Sequence, residues 1–100
     1  MYIWTCVDSK DAENARLTKV VDVKYWALID FDGGKAKSVE FYDNREDFTD
    51  WVDFIIMKDK YESYMDFMNE GMMVLCTRAE ETIGEAIEAF VFKELDEIGL

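Results

Sequence analysis

The sequence predicts a single α/β domain over residues 1–100, built on a mixed five-stranded sheet of strand order 3-2-1-4-5 with helices on its faces. Three observations carry that reading. The first segment is apolar on both sides, as a central strand covered twice must be. An Asp-Gly-Gly turn joins two later strand-like segments into a hairpin. The rest of the chain alternates short apolar runs with helical spacing, which implies parallel strands joined by right-handed crossovers.

From Met1 to Val7, Ile3, Thr5 and Val7 face one way while Tyr2, Trp4 and Cys6 face the other. Asp8-Ser9-Lys10-Asp11 then breaks the strand with solvated turn formers, and a polar connection runs through Glu13, Asn14 and Arg16. Strands two and three are read from Tyr25 to Phe31 and from Ala36 to Tyr42, joined by Asp32-Gly33-Gly34-Lys35. Asp and two glycines accept the positive φ that tight hairpins demand.

Asn44 is placed to cap a short helix from Arg45 to Trp51, and Phe54-Ile55-Ile56-Met57 is an apolar run short enough to be a buried strand. Tyr61, Tyr64, Met65, Met68 and Met72 then fall on one helical face, with Glu62, Asp66 and Glu70 turned to water and Gly71 placed to end the helix. Met72 to Thr77 makes the fifth strand. Thr82-Ile83-Gly84-Glu85 has the form of a capping box and opens a last helix, whose buried stripe is Ile83, Ala86, Ile87, Phe90 and Val91 and whose wet side is Glu85, Glu88 and Glu94.

Composition bounds the function. Half of the residues are apolar and 15 % aromatic, so rings such as Trp4, Trp26 and Trp51 can bury enough surface to offset ordering entropy in a short chain. Lys and Arg number 11 against 23 Asp and Glu, and the net charge of -12 repels nucleic-acid backbones and anionic membranes. The expected partner is a protein with a basic surface. The absence of a leader-like opening and of a membrane-length apolar run gives a cytoplasmic location as the expectation.

Several chemistries fail on residue type. With no His in the sequence, Ser-His-Asp and Cys-His catalysis lack their base, and no glycine-rich phosphate loop follows a strand. Asp30-Phe31-Asp32-Gly33 begins like a calcium loop, but Gly34, Lys35 and Phe41 stand where that loop needs an acid or amide, a glycine and a glutamate. A hairpin turn accounts for the same residues. Met57, Met65, Met68, Met72 and Met73 fit either an adaptable binding surface or core packing, and helical spacing favours the core.

One segment stands out for recognition. Asp43, Asp47 and Asp50 surround Phe48 and Trp51, two large rings that one short helix does not bury. These five residues form the candidate partner-binding set.

The chain also resembles the dinitrogenase iron–molybdenum cofactor biosynthesis family. The similar stretches are Ala27-Leu28-Ile29-Asp30-Phe31-Asp32-Gly33-Gly34-Lys35 with Val39-Glu40-Phe41 and Asp43-Asn44, then Asp53-Phe54-Ile55-Ile56-Met57-Lys58-Asp59, then Thr82-Ile83-Gly84-Glu85-Ala86-Ile87-Glu88-Ala89-Phe90. The resemblance implies a ribonuclease-H-like fold and a non-enzymatic accessory domain that binds or carries an iron–sulfur-based or iron–molybdenum cofactor, or a degenerate relative that has lost it. The alternative is an acidic interaction module docking a basic partner. That fold also raises a Mg²⁺-dependent nuclease using Asp8 with Asp43 or Asp59, which the acidic surface opposes.

Family members that hold such a cofactor use Cys or His in loops near the sheet's end, whereas this chain has no His and no Cys between Cys6 and Cys76. Cys6 and Cys76 are therefore the only thiol candidates for a cofactor. An iron–sulfur cluster usually takes four thiolates, and the expected strand order separates this pair by roughly 10 Å, too far for a disulfide. Packing thiols are the competing reading.

Overall fold

The computed structural model describes residues 1–98; residues 99 and 100, included in the expected domain span, lie outside the described residues. Strands β1 (Tyr2–Val7), β2 (Tyr25–Asp32), β3 (Lys35–Tyr42), β4 (Phe54–Met57), β5 (Met73–Cys76) and β6 (Asp96–Ile98) form one mixed sheet in the order β3-β2-β1-β4-β5-β6. The helices are α1 (Met65–Asn69) and α2 (Ile83–Val91). The expected order holds, and a sixth strand extends it. β1 runs parallel to β4 and β4 to β5, while β2, β3 and β6 are antiparallel to their neighbours.

β1 is central and covered on both faces. Ile3 and Val7 join Ala27, Ile29, Ile56 and Leu75 beneath α2, whereas Trp4 and Cys6 join Trp26, Leu28, Ile55 and Met57 on the other side. Thr5, whose hydroxyl is buried in this strand, donates to the carbonyl of Ile56 at 3.0 Å, so its burial carries no unpaired polar atom. The hairpin forms as expected, with Gly33 at φ 62° and Gly34 at φ 81°.

The capping box at α2 is complete. Thr82 Oγ1 accepts from the Glu85 amide at 3.2 Å, and Glu85 Oε1 accepts from the Thr82 amide at 3.2 Å. The helix stops at Val91, with Phe92 as its C-cap. The chain then turns back as β6, which the sequence reading missed: acidic Glu94 looked like more helix surface, and a three-residue edge strand lacks the apolar alternation of an inner one. Val91 is accordingly exposed rather than part of the buried stripe.

Two other expectations are corrected. The segment from Arg45 to Trp51 is a 3-10 turn over Arg45–Asp47 followed by extended chain, and the Asn44 side chain caps nothing. The helix after β4 is only Met65–Asn69, and it buries Phe67 while Met65 is exposed. Residues 58–64 form a connection in which Glu62, expected in water, accepts from the amides of Val20 at 2.8 Å and Val21 at 3.1 Å. A long-range carboxylate clamp of this kind competes with local helix formation, and here it prevails. The methionines divide: Met57 and Met72 are core, Met68 packs against the core from a partly buried position, and Met65 and Met73 are exposed.

Candidate functional site

Cys6 and Cys76 lie on β1 and β5, on the same face of the sheet, with β4 between them. Met57 pairs with Cys76 and follows the residue that pairs with Thr5, so its side chain stands between the two sulfurs. Strand spacing puts the thiols about 10 Å apart. Each cysteine is 3 % exposed. Burial, aided by the Glu62 carboxylate and opposed by Arg45, pushes the Cys6 thiol up to about 12. Burial also raises Cys76, whose Sγ lies 3.5 Å from the Thr77 carbonyl.

Metal ligation needs the thiolate, and both environments hold the proton on. The residues present do not fit an iron–sulfur cluster: two of the usual four thiolates exist, both sealed under side chains, and no imidazole is available. Among the described residues no group of three or more Cys, Asp or Glu side chains is placed to hold a metal ion.

The same face opens at its other end into a cavity of about 500 Å³ walled by Phe48, Trp51, Val52 and Met72 and rimmed by Glu46 and Asp50. Of the expected partner-binding set, the structure brings Phe48, Asp50 and Trp51 together there, while Asp43 and Asp47 are exposed in the same loop outside the lining. Phe48 is half-buried, packed edge-on against Tyr2 at 5.0 Å and Trp4 at 5.9 Å between centroids. Trp51 is 60 % exposed. Its indole lies over Gly71, which has φ 92° and no side chain to obstruct it.

Two lining residues were not legible in the sequence. Arg45, in the 3-10 turn, donates from Nη1 to Glu70 Oε1 at 2.7 Å, forming a two-pronged pair with the residue that ends α1. Its guanidinium carbon lies 5.0 Å from the Phe67 ring centre and 5.7 Å from that of Trp26. The hydrogen bond from Arg45 holds the Glu70 carboxyl below its ordinary value, and the same contact raises Arg45. The pair joins positions 25 residues apart, a relationship that no local pattern announces. A planar ring beside Glu46 and Asp50, with the local cation already neutralised, suits a cationic side chain.

No helix among the described residues is long and apolar enough to cross a membrane. No family model matches the chain, and no curated protein matches it. Solved structures do. A crystal structure from Methanocaldococcus jannaschii, named provisionally as a dinitrogenase, is similar at TM-score 0.75 and 18 % identity, over 99 % of this chain and 95 % of that one. The apo form of the orange protein from Desulfovibrio gigas gives TM-score 0.77 at 9 % identity, over 98 % and 92 %. An NMR structure from Thermotoga, named provisionally as a NifB protein, gives TM-score 0.71 at 19 % identity, over 97 % and 92 %. Two of these neighbours thus carry dinitrogenase and NifB names, the group that the sequence resembles, and the chain shares the fold of all three.

Proposed function

We propose that this chain is a non-enzymatic accessory domain of the nitrogenase-cofactor-assembly kind, ribonuclease-H-like in architecture and cytoplasmic, which acts by binding and has lost thiolate ligation of an iron–sulfur-based cofactor. The shared fold supports the accessory role. The observation that carries the loss is the burial of both sulfurs: Cys6 and Cys76 are each 3 % exposed and separated by Met57. A cluster would have to displace core side chains and deprotonate two raised thiols. The test is anaerobic incubation with iron, sulfide and molybdate followed by metal analysis. Background metal and no visible absorption are expected; stoichiometric metal that disappears in Cys6→Ala or Cys76→Ala overturns the reading.

A second reading, docking of a basic protein partner, is favoured by the open cavity beside Trp51. Its aromatic face and the carboxylates of Glu46 and Asp50 suit a lysine or arginine side chain, and the net charge of -12 draws a basic surface while repelling nucleic acid. A lysine-rich peptide titrated against tryptophan fluorescence should bind more weakly as salt rises and more weakly to Asp50→Asn. Binding indifferent to both would remove this reading.

A further inference from the structure

On the opposite face of the sheet, between the end of α2 and the beginnings of β4 and β5, a second cavity of about 560 Å³ is lined by Phe31, Phe54, Met73, Leu75, Phe90 and Val91. That volume lies within the range of about 300–1,000 Å³ typical of small-molecule sites, and so does the mainly apolar lining with few polar groups. The wall is preformed. Phe90 packs edge-on against Phe31 at 5.0 Å and against Phe54 at 5.2 Å, which fixes three rings against one another. Met73 and Val91, 46 % and 40 % exposed, stand at the mouth.

The charged groups in this lining are Lys93, Glu97 and the N-terminal ammonium of Met1, which is already engaged with the Phe31 carbonyl at 2.8 Å. Lys93 follows the C-cap of α2 with φ 58°, the left-handed region where glycine is the usual residue, and its amide donates to the Phe90 carbonyl at 3.2 Å. A lysine at this backbone position therefore carries strain that a glycine would avoid. Among the described residues no carboxylate forms an ion pair with it. An apolar, aromatic-walled cavity with the Lys93 ammonium at its edge suits an apolar body with one anionic head. Glu97, at the β6 side, opposes a head there and so orients the guest toward Lys93.

The global charge narrows the occupant further. A second copy of the chain would bring another net charge of -12 to this face, and a ligand with several phosphates would meet the same repulsion. A single carboxylate is the anion that one lysine can balance. We propose that this cavity binds a small amphiphilic carboxylate, a medium-chain or arylalkyl acid, with its carboxylate on Lys93 and its body against Phe54, Phe90 and Leu75. The site is separate from the docking cavity beside Trp51, and its test is independent of that reading.

Decanoate and decanol, titrated while the methyl resonances of Met73, Leu75 and Val91 are followed, provide that test. Decanoate is expected to shift these methyls saturably, with decanol about fivefold weaker, as expected for a partly exposed charge pair. Lys93→Gly, which suits the left-handed backbone and so preserves the fold, should bring decanoate down to the affinity of decanol. Val91→Trp, filling the exposed mouth, should remove binding of both. Non-saturable shifts, equal affinities for acid and alcohol, or an unchanged Lys93→Gly variant would overturn the proposal. Methyl shifts that depend on protein concentration, with dimer in sedimentation, would also overturn it and assign the face to a second copy.

Discussion

The indole of Trp51 lies over the α-carbon of Gly71 so closely that a β-carbon there would fall 2.9 Å from Cζ2 and nearer still to Cη2. Gly71→Ala therefore meets two obstacles, the ring and a backbone at φ 92°. A loss of about 2–3 kcal/mol in urea unfolding is expected, with red-shifted tryptophan emission as Trp51 is displaced. In a Trp51→Ala background the steric part disappears, so the same substitution should cost only about 1–2 kcal/mol. Equal costs in the two backgrounds would show that the ring does not press on this position.

The thiols should be inert in the folded protein. With Cys6 pushed up to about 12 and both cysteines 3 % exposed, iodoacetamide at neutral pH is expected to label neither until denaturant is added. Mass spectrometry over the denaturant series should show labelling that follows global unfolding.

Glu62 ties the 3-10 turn at Val20–Asp22 to the connection before α1 through two amide hydrogen bonds. Glu62→Ala leaves those amides without their carboxylate and should cost about 1–2 kcal/mol. Amide exchange at Val20 and Val21 should accelerate, while that of Ile29 in the sheet centre changes only as far as global stability does.

The Arg45–Glu70 pair sets an acid dependence. The folded Glu70 carboxyl titrates below its ordinary value of 4.5, because Arg45 hydrogen-bonds to it. Its stabilising contribution is thus present above pH 4.5 and is lost as pH falls through the lower folded value. Arg45→Met, which retains an apolar stem beside Phe67 and Trp26, should cost about 1 kcal/mol at pH 7 and flatten the decline of stability below pH 4.5. Parallel pH profiles for the two proteins would contradict this assignment.

Lys93→Gly should raise stability by about 0.5–1 kcal/mol, because relief of the left-handed strain exceeds the extra freedom that glycine gives the unfolded chain. Thermal unfolding measures it. A loss instead would mean that the lysine side chain contributes packing at the end of α2.

Much of the sheet was legible because its determinants are local. The double-sided apolar pattern of Tyr2–Val7, the Gly33-Gly34 turn and the Thr82/Glu85 capping box each announce themselves within a few residues, and the structure retains all three. The errors lie where distant contacts decide. Tyr61, Tyr64 and Met65 have helical spacing, yet Glu62 is held by Val20 and Val21 and the helix begins only at Met65. β6 exists because the segment at residues 96–98 pairs with the edge of β5, which no property of Asp96-Glu97-Ile98 alone reveals.

For the candidate site, the exposed Trp51 and its acidic neighbours were readable, since charge and ring size are properties of residues. The Arg45–Glu70 wall and the Gly71 platform were not, because both arise only when the turn after β3 meets the end of α1.

The late addition of β6 also determines what the sheet offers to another chain. One outer strand carries Lys35, Lys37 and Glu40 toward water, and the other is three residues long with Asp96 and Glu97 exposed. A strand from a neighbouring molecule that tried to extend the ladder would find one rim studded with ions of both signs and the other carrying the exposed carboxylates of Asp96 and Glu97. Charge at both rims thereby disfavours edge-to-edge growth of the ladder.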